Sequence, residues 1–131
     1  MDGAVIVNGE LVPSGQPAIS LDNRAFHYAD GLFESIRIVE GKPCFLDAHW
    51  TRLVEGMKML RIEQPKGLDE RSLMTYITRL VQECALPNGR ARLTVFRDSP
   101  GYFRPRSHEG GFTLELKPVP APNFILNHQG L

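Results

Sequence analysis

The sequence has few cysteines and no excess of charge of either sign. Its two cysteines, Cys44 and Cys84, do not form a paired spacing of the kind that holds a metal ion. We expect both to be buried, reduced thiols. Fifteen basic residues balance fifteen acidic residues. The long-range field that draws proteins to nucleic acid or to anionic lipid is therefore missing, and we expect no nucleic-acid partner.

Long apolar runs and nucleotide-binding loops are also missing. No stretch approaches the length of a membrane span, and no basic region precedes an apolar stretch at the start of the sequence. We therefore expect a cytoplasmic protein without membrane contact. The glycines fall at turns rather than in a phosphate-cradling loop. His27 and His49 have no metal-ligand spacing, and His27 has no partners for a nucleophilic triad, so we expect no metal site.

Strand and helix patterns alternate along a chain of 131 residues, which suits one globular domain with a modest core. Asn8-Gly9 between apolar runs predicts a tight hairpin. A second hairpin is predicted from a strand at residues 32–39 and a return strand at residues 43–46. Two helices follow, and Asp47 and Asp69 are their predicted caps.

The last part of the sequence predicts two more strands. Apolar and polar residues alternate over residues 90–97, and residues 112–117 form a closing strand after a loop. The order of elements is therefore ββ, ββ, αα, ββ. This order predicts an α+β fold of two layers, in which two helices pack on one face of a mainly antiparallel sheet.

The strand at residues 32–39 carries an ionisable group on each of its faces. With a period of two, Glu34 lies on the face of Leu32 and Ile36, whereas Arg37 lies on the opposite face with Phe33. An unpaired charge in a buried strand costs several kcal/mol. The pattern is typical of an active-site strand, and it is equally compatible with an edge strand whose charges meet water.

Arginines are the second feature with possible chemistry. Bidentate sites for carboxylate or phosphate could come from Arg24, Arg37, Arg52, Arg92, Arg97, Arg104 and Arg106. We favour Arg37, because it interrupts an apolar strand, and Arg52, because it lies near a helix start where peptide dipoles favour an anion. Arg52 shares a helix stripe with His49 and Gly56, and the small Gly56 would let another group approach the backbone.

Two linked motifs carry a family resemblance. Residues 23–37 read NRAFHYADGLFESIR and residues 49–53 read HWTRL. This pair resembles the class IV aminotransferases, the fold type IV pyridoxal-phosphate enzymes. The family includes branched-chain amino acid aminotransferases, D-amino acid aminotransferases and aminodeoxychorismate lyases. The resemblance extends over nearly the whole chain.

The resemblance implies pyridoxal 5′-phosphate as the cofactor and assigns roles to particular positions. Arg52 matches the arginine that holds the cofactor phosphate. The substrate-binding positions that it implies are Tyr28, Phe33, Arg37, Arg92 and Arg104. Of these, Tyr28 matches a residue that reaches the neighbouring subunit's site in branched-chain members, and Arg104 lies in the loop that contacts the substrate carboxylate in D-amino acid members.

The resemblance also implies that a part of the enzyme is missing. Residues 1–119 match the small N-terminal domain, and residues 120–131 match the start of the interdomain linker. The Schiff-base lysine of the family lies in the larger C-terminal domain, beyond Leu131. We expect the lysines of this chain to be surface residues, so no residue is assigned as catalytic and the isolated chain is expected to be inactive.

The function implied for the complete enzyme is transfer of an amino group between a small, branched-chain-like amino acid and a 2-oxo acid. The alternatives are an aminodeoxychorismate lyase of the same family, or a free-standing non-catalytic module that dimerises or binds an anionic metabolite. The expected macromolecular partner is a second copy in a homodimer, or the missing C-terminal domain.

Overall fold

The computed structural model of the chain describes residues 3–16, 18–101 and 104–120. The predicted first hairpin is confirmed. Strands β1 (Ala4–Val7) and β2 (Glu10–Pro13) pair antiparallel, with Val7 opposite Glu10. Asn8 and Gly9 have φ angles of 49° and 90°. Positive φ at both central residues is what a type I′ turn requires, and Asn-Gly adopts it at little cost.

A one-turn helix that the sequence analysis did not count precedes the central strand. Helix α1 (Arg24–Tyr28) starts at Asn23, whose side chain accepts a hydrogen bond from the Ala25 amide at 2.9 Å. Ala29 ends the helix in a left-handed conformation, with φ of 53°. Strand β3 (Gly31–Val39) follows at once. The described part of the chain thus has three helices rather than the two predicted.

The second hairpin has a shorter return strand than predicted. Strand β4 (Lys42–Pro43) pairs only with Ile38 and Val39. Phe45 then adopts a left-handed conformation with φ of 58°, which ends the extended backbone and starts helix α2 (Leu46–Leu60). The prediction that Asp47 caps this helix was wrong. Asp47 lies in the first turn, where its carboxylate accepts a hydrogen bond from the amide of Ala48 at 2.9 Å.

The third helix begins as predicted. The side chain of Asp69 accepts a hydrogen bond from the Ser72 amide at 2.7 Å, and the Ser72 hydroxyl accepts one from the Asp69 amide at the same distance. This reciprocal pair is a capping box at the start of helix α3 (Glu70–Cys84). Strands β5 (Gly89–Arg97) and β6 (Gly110–Pro118) complete the fold.

Within the described residues, six strands form one antiparallel sheet in the order β2-β1-β6-β5-β3-β4. Helix α2 packs on β3, and helix α3 packs on β1 and β6. The core lies between these helices and the sheet. Its fully buried side chains come from every layer and include Ile6, Ile36, Leu53, Leu73, Ile77, Leu93 and Leu114. The predicted two-layer α+β architecture is confirmed.

Three sequence predictions concern the surface and the end of the chain. Cys44 and Cys84 are free, but both are half-buried rather than buried. Apart from Pro120, the predicted linker at residues 120–131 lies outside the described residues, so the domain boundary stays a prediction. Among the described helices, none combines the length and the apolar character needed to cross a bilayer.

Candidate functional site

A groove opens where the edge of β3 is not covered by another strand. Because β4 reaches only Ile38 and Val39, the first part of β3 has helix α2 beside it within the described chain. The groove has a volume of about 420 Å³. It is lined by Leu32, Phe33, Glu34, Ser35, Arg52, Leu53 and Gly56. Both linked sequence motifs therefore contribute to one concave surface.

A bidentate ion pair crosses this groove from strand to helix. Nε of Arg52 donates to Oε1 of Glu34 at 2.7 Å, and Nη2 donates to Oε2 at 2.8 Å. Glu34 is 5% exposed, whereas the Arg52 side chain is 71% exposed. Hydrogen bonds from Glu34 and its charge raise the pKa of Arg52 above its ordinary value. The charge of Glu34 is thus buried and paired, and does not meet water as an edge-strand charge would.

The predicted helix stripe faces β3, and each member has a specific neighbour there. Nδ1 of His49 lies 3.4 Å from Oε1 of Glu34, next to the Arg52 pair. A Cβ atom added at Gly56 would lie 2.5 Å from Cδ1 of Leu32. The group that approaches the Gly56 backbone is therefore the Leu32 side chain, and Gly56 makes room for core packing.

Three of the predicted substrate residues share the sheet face opposite the helices. The guanidinium carbon of Arg92 lies 3.9 Å from the centre of the Phe33 ring, a cation–π contact. Arg92 lies opposite Ser35 in the sheet register, and Arg37 lies opposite Arg90 two pairs further along, on the same face. Phe33 is 52% exposed on this face. It also lines the groove beside Arg52, so it connects the two surfaces.

Tyr28 and Arg104 lie at the end of the sheet where β3 starts. The guanidinium carbon of Arg24 lies 4.8 Å from the centre of the Tyr28 ring, and the His27 ring packs edge-on against Tyr28 at 5.2 Å. Tyr28 lines a cavity with Arg106 and other residues of the loop between β5 and β6. Arg104 is exposed in that loop. The structure therefore places these two residues in a group separate from the Phe33 contact with Arg92.

A buried charge cluster beside this loop was missed from the sequence. Nε of Arg24 donates to Oδ2 of Asp30 at 2.7 Å, and Nη1 of Arg97 donates to Oδ1. Arg24 also donates to the Gly101 carbonyl at 2.9 Å, and Arg97 donates to the Leu60 carbonyl. One carboxylate thereby joins α1, the end of α2, β5 and the loop. The only signal in the sequence was three charges at the ends of predicted elements.

Opposing effects act on the carboxyl group of Asp30. Burial alone raises its pKa, whereas the hydrogen bonds and charges of Arg24 and Arg97 lower it. The arginines outweigh burial, and the pKa of Asp30 lies below its ordinary value of 3.8. Asp30 is therefore ionised in the folded chain at neutral pH, as a carboxylate between two arginines should be.

The four lysines of the chain all lie in its described part. They are Lys42, Lys58, Lys66 and Lys117, and each is exposed. None of them lines the groove beside Arg52. The prediction that the lysines are surface residues is confirmed.

Comparison with known proteins adds a family and a set of relatives. The family model described as Amino-transferase class IV matches residues 31–128. A bifunctional aminodeoxychorismate lyase / D-amino acid transaminase of Mycobacterium tuberculosis is 26% identical over 117 residues, which cover 89% of this chain and 39% of that protein. A D-alanine aminotransferase of Staphylococcus haemolyticus is 25% identical and is matched over 88% of this chain and 38% of its own length.

Solved structures agree with this match. The branched-chain amino acid aminotransferase of Escherichia coli superposes with a TM-score of 0.78 at 20% identity, covering 91% of this chain and 42% of that one. A hypothetical aminotransferase from Mycobacterium tuberculosis, in a PLP-bound form, superposes with a TM-score of 0.72 at 26% identity, covering 90% and 40%. The chain thus spans about two fifths of the length of the relatives it matches. Since the family model covers most of the sequence, the chain belongs to the amino-transferase class IV family.

Proposed function

We propose that this chain is the small N-terminal domain of a pyridoxal-phosphate-dependent class IV aminotransferase. Its domain extends over residues 1–119, and residues 120–131 begin the linker to a larger domain. The complete enzyme transfers an amino group between a small, branched-chain-like amino acid and a 2-oxo acid. The proposal also includes a cytoplasmic location.

The observation that carries this proposal is the position and donor set of Arg52. An arginine has five N–H donors, and the pair with Glu34 uses Nε–H and one N–H of Nη2. Three donors remain on a side chain that is 71% exposed at the groove. A phosphate group suits such a planar, permanently charged donor set. The residues present therefore fit the phosphate of pyridoxal 5′-phosphate.

The open sheet face supplies the substrate side of the proposal. Arg37 and Arg92 bring positive charge to this face, and the Phe33 ring brings apolar surface next to Arg92. Together they suit a small molecule that has a carboxylate and an apolar side chain. Tyr28 and Arg104 bind substrate from the end of the sheet where the loop lies.

Bound pyridoxal phosphate supplies the electron sink for amino-group chemistry. We assign the residues of this chain to binding and orienting the cofactor and the substrate. No lysine of the chain is assigned to the reaction, because all four are exposed and lie outside the groove. Arg52 holds the phosphate end, and Phe33 with Arg92 limits the space for the substrate side chain. The same open face contacts a second copy of the protein or the larger domain, which excludes water from the substrate.

A second candidate is aminodeoxychorismate lyase activity. The relative from Mycobacterium tuberculosis bears that activity in its name together with D-amino acid transamination. Several further relatives are named D-alanine aminotransferases. The lyase and the transaminase differ in their co-substrate, since only the transaminase needs a 2-oxo acid acceptor.

The test uses the complete protein that carries this chain. We expect amino transfer from a branched-chain amino acid to 2-oxoglutarate, and we expect less with D-alanine as donor. Pyruvate release from aminodeoxychorismate without any acceptor would favour the second candidate. The Arg52→Ala variant should bind pyridoxal phosphate roughly ten- to hundredfold more weakly, since charge-assisted hydrogen bonds are lost. Unchanged affinity would remove Arg52 from the phosphate site.

A further inference from the structure

We infer that Glu34 is a positioning residue that holds the Arg52 guanidinium in the orientation needed to bind phosphate. This inference rests on the proposed function, because it needs Arg52 to meet a phosphate group. The observation behind the inference is an asymmetric ion pair, with a buried carboxylate and an exposed guanidinium.

The buried side of the pair is rigidly placed. Glu34 lies within β3, and its strand neighbours Leu32 and Ile36 point to the same helix-covered face. Both carboxylate oxygens accept from Arg52, at 2.7 and 2.8 Å. Two parallel hydrogen bonds fix the plane of a guanidinium as well as its distance. The flexible end of Arg52 is therefore tied to the rigid part of the fold.

His49 supports the same carboxylate from one helical turn earlier. Its Nδ1 lies 3.4 Å from Oε1 of Glu34, and its side chain is mostly buried. His49 and Arg52 approach Glu34 from successive turns of α2. The carboxylate is thus held between a strand and two points of a helix, and its rotation is restricted on all of these sides.

The charge of Glu34 and its geometry have opposite effects on a bound phosphate. As a negative charge next to Arg52, Glu34 makes the pair neutral and weakens the attraction for an anion. As a fixed acceptor, it removes the entropy that a free arginine would lose on binding. We infer that the second effect is larger here, because Arg52 without its partner would be a long, solvent-exposed side chain. The inference therefore depends on whether removal of the Glu34 charge weakens or strengthens the binding of phosphate.

The experiment measures binding of two probes, pyridoxal 5′-phosphate and pyridoxal, to the complete protein. Glu34→Gln keeps the size of the side chain but replaces one of the two acceptor oxygens by an NH2 donor, so it cannot form the two parallel hydrogen bonds with Arg52. We expect its affinity for pyridoxal phosphate to fall roughly three- to tenfold, the effect of ordering one long side chain. The affinity for pyridoxal, which has no phosphate, should stay the same. Glu83→Gln removes an equal charge from the exposed surface of α3 and serves as the control.

The outcomes separate this inference from the proposed function. Tighter or unchanged binding of pyridoxal phosphate by Glu34→Gln, with weaker binding by Arg52→Ala, overturns the positioning role alone. An equal loss of affinity for pyridoxal phosphate and for pyridoxal also overturns it. Such a loss reflects a general structural defect, because it does not depend on the phosphate group. If Arg52→Ala binds pyridoxal phosphate as well as the unmodified protein, both the proposed phosphate site and the inference fail.

A second measurement covers the case in which Glu34→Gln does not fold. In the unmodified protein, the nuclear magnetic resonance signal of the Arg52 Nε–H should be protected from exchange with water before any ligand is added. Arg52→Lys keeps the positive charge but cannot form the two parallel bonds. We expect it to lose affinity for pyridoxal phosphate as Glu34→Gln does. Rapid exchange of Nε–H in the unmodified protein, or full affinity in Arg52→Lys, would contradict the inference.

Discussion

Removal of the shared carboxylate at Asp30 should destabilise the fold more than any change to an exposed charge. The change Asp30→Asn leaves Arg24 and Arg97 without the group that both of them contact. Asp30 is 13% exposed, and the two arginine side chains are 5% and 10% exposed. Neither guanidinium can therefore turn to water without moving its surroundings.

The size of the effect follows from the burial of the three groups. Breaking a buried ion pair by removing one partner costs about 3–5 kcal/mol, because the remaining charge is buried and uncompensated. Each arginine keeps a bond to a backbone carbonyl, Gly101 for Arg24 and Leu60 for Arg97. We therefore expect Asp30→Asn to lower the free energy of unfolding by about 3 kcal/mol, a large part of the stability of a small domain.

Urea unfolding at neutral pH measures this loss. Asp98→Asn is the matched control, because Asp98 is exposed and lies directly after Arg97. Its effect should be within about 0.5 kcal/mol. The slope of the free energy with urea should be the same in all three proteins. A loss below about 1 kcal/mol for Asp30→Asn would show that the cluster does not hold the elements together.

The cluster also predicts a pH dependence with a definite sign. The pKa of Asp30 in the folded chain lies below its ordinary value of 3.8, chiefly because the stabilising effect of two arginines exceeds that of burial. Its contribution is therefore complete at pH values above 3.8 and is lost as the pH falls through the folded-state pKa. The unmodified chain should lose stability more steeply than Asp30→Asn in this acid range. Parallel acid profiles would refute the assignment.

Three further predictions concern other parts of the chain. Gly31→Ala should destabilise the fold by about 1–3 kcal/mol in urea unfolding, since a Cβ there would lie 2.6 Å from the Val95 carbonyl oxygen. Borohydride reduction with pyridoxal phosphate should trap no single lysine of this chain in mass spectrometry, because all four are exposed; selective labelling of one would contradict this. Light scattering should detect concentration-dependent association of the chain. We expect Phe33→Ser to weaken this association and Met59→Ser, at an even more exposed apolar site, to leave it unchanged.

Local patterns in the sequence were sufficient for most elements of the fold. The Asn8-Gly9 turn and the Asp69 cap depend on residues within four positions of each other, and both were predicted. The start of α2 was not predicted, because it depends on the left-handed conformation of Phe45. A phenylalanine in the sequence does not indicate this conformation. The shortness of β4 has the same cause, since the strand must end before that residue.

The partners of the charged residues could not be predicted in the same way. Period-two alternation placed Glu34 on the helix-covered face of β3, and helical spacing placed His49 and Arg52 on one stripe of α2. Neither pattern determines how far apart the strand and the helix lie in the fold. The hairpin through β4 determines that distance, and with it the contact between Glu34 and Arg52, 18 positions apart.

The two faces of β3 show why charges occur in a strand that is otherwise apolar. Glu34, on the helix-covered face, is tolerated because Arg52 pairs with it across the open edge of the strand. Arg37, on the other face, lies in a row of polar and aromatic residues on which no helix of the described chain packs. The short return strand, which the sequence did not predict, leaves the first part of β3 without a neighbouring strand on this side of the described chain, at the groove where Arg52 pairs with the buried carboxylate.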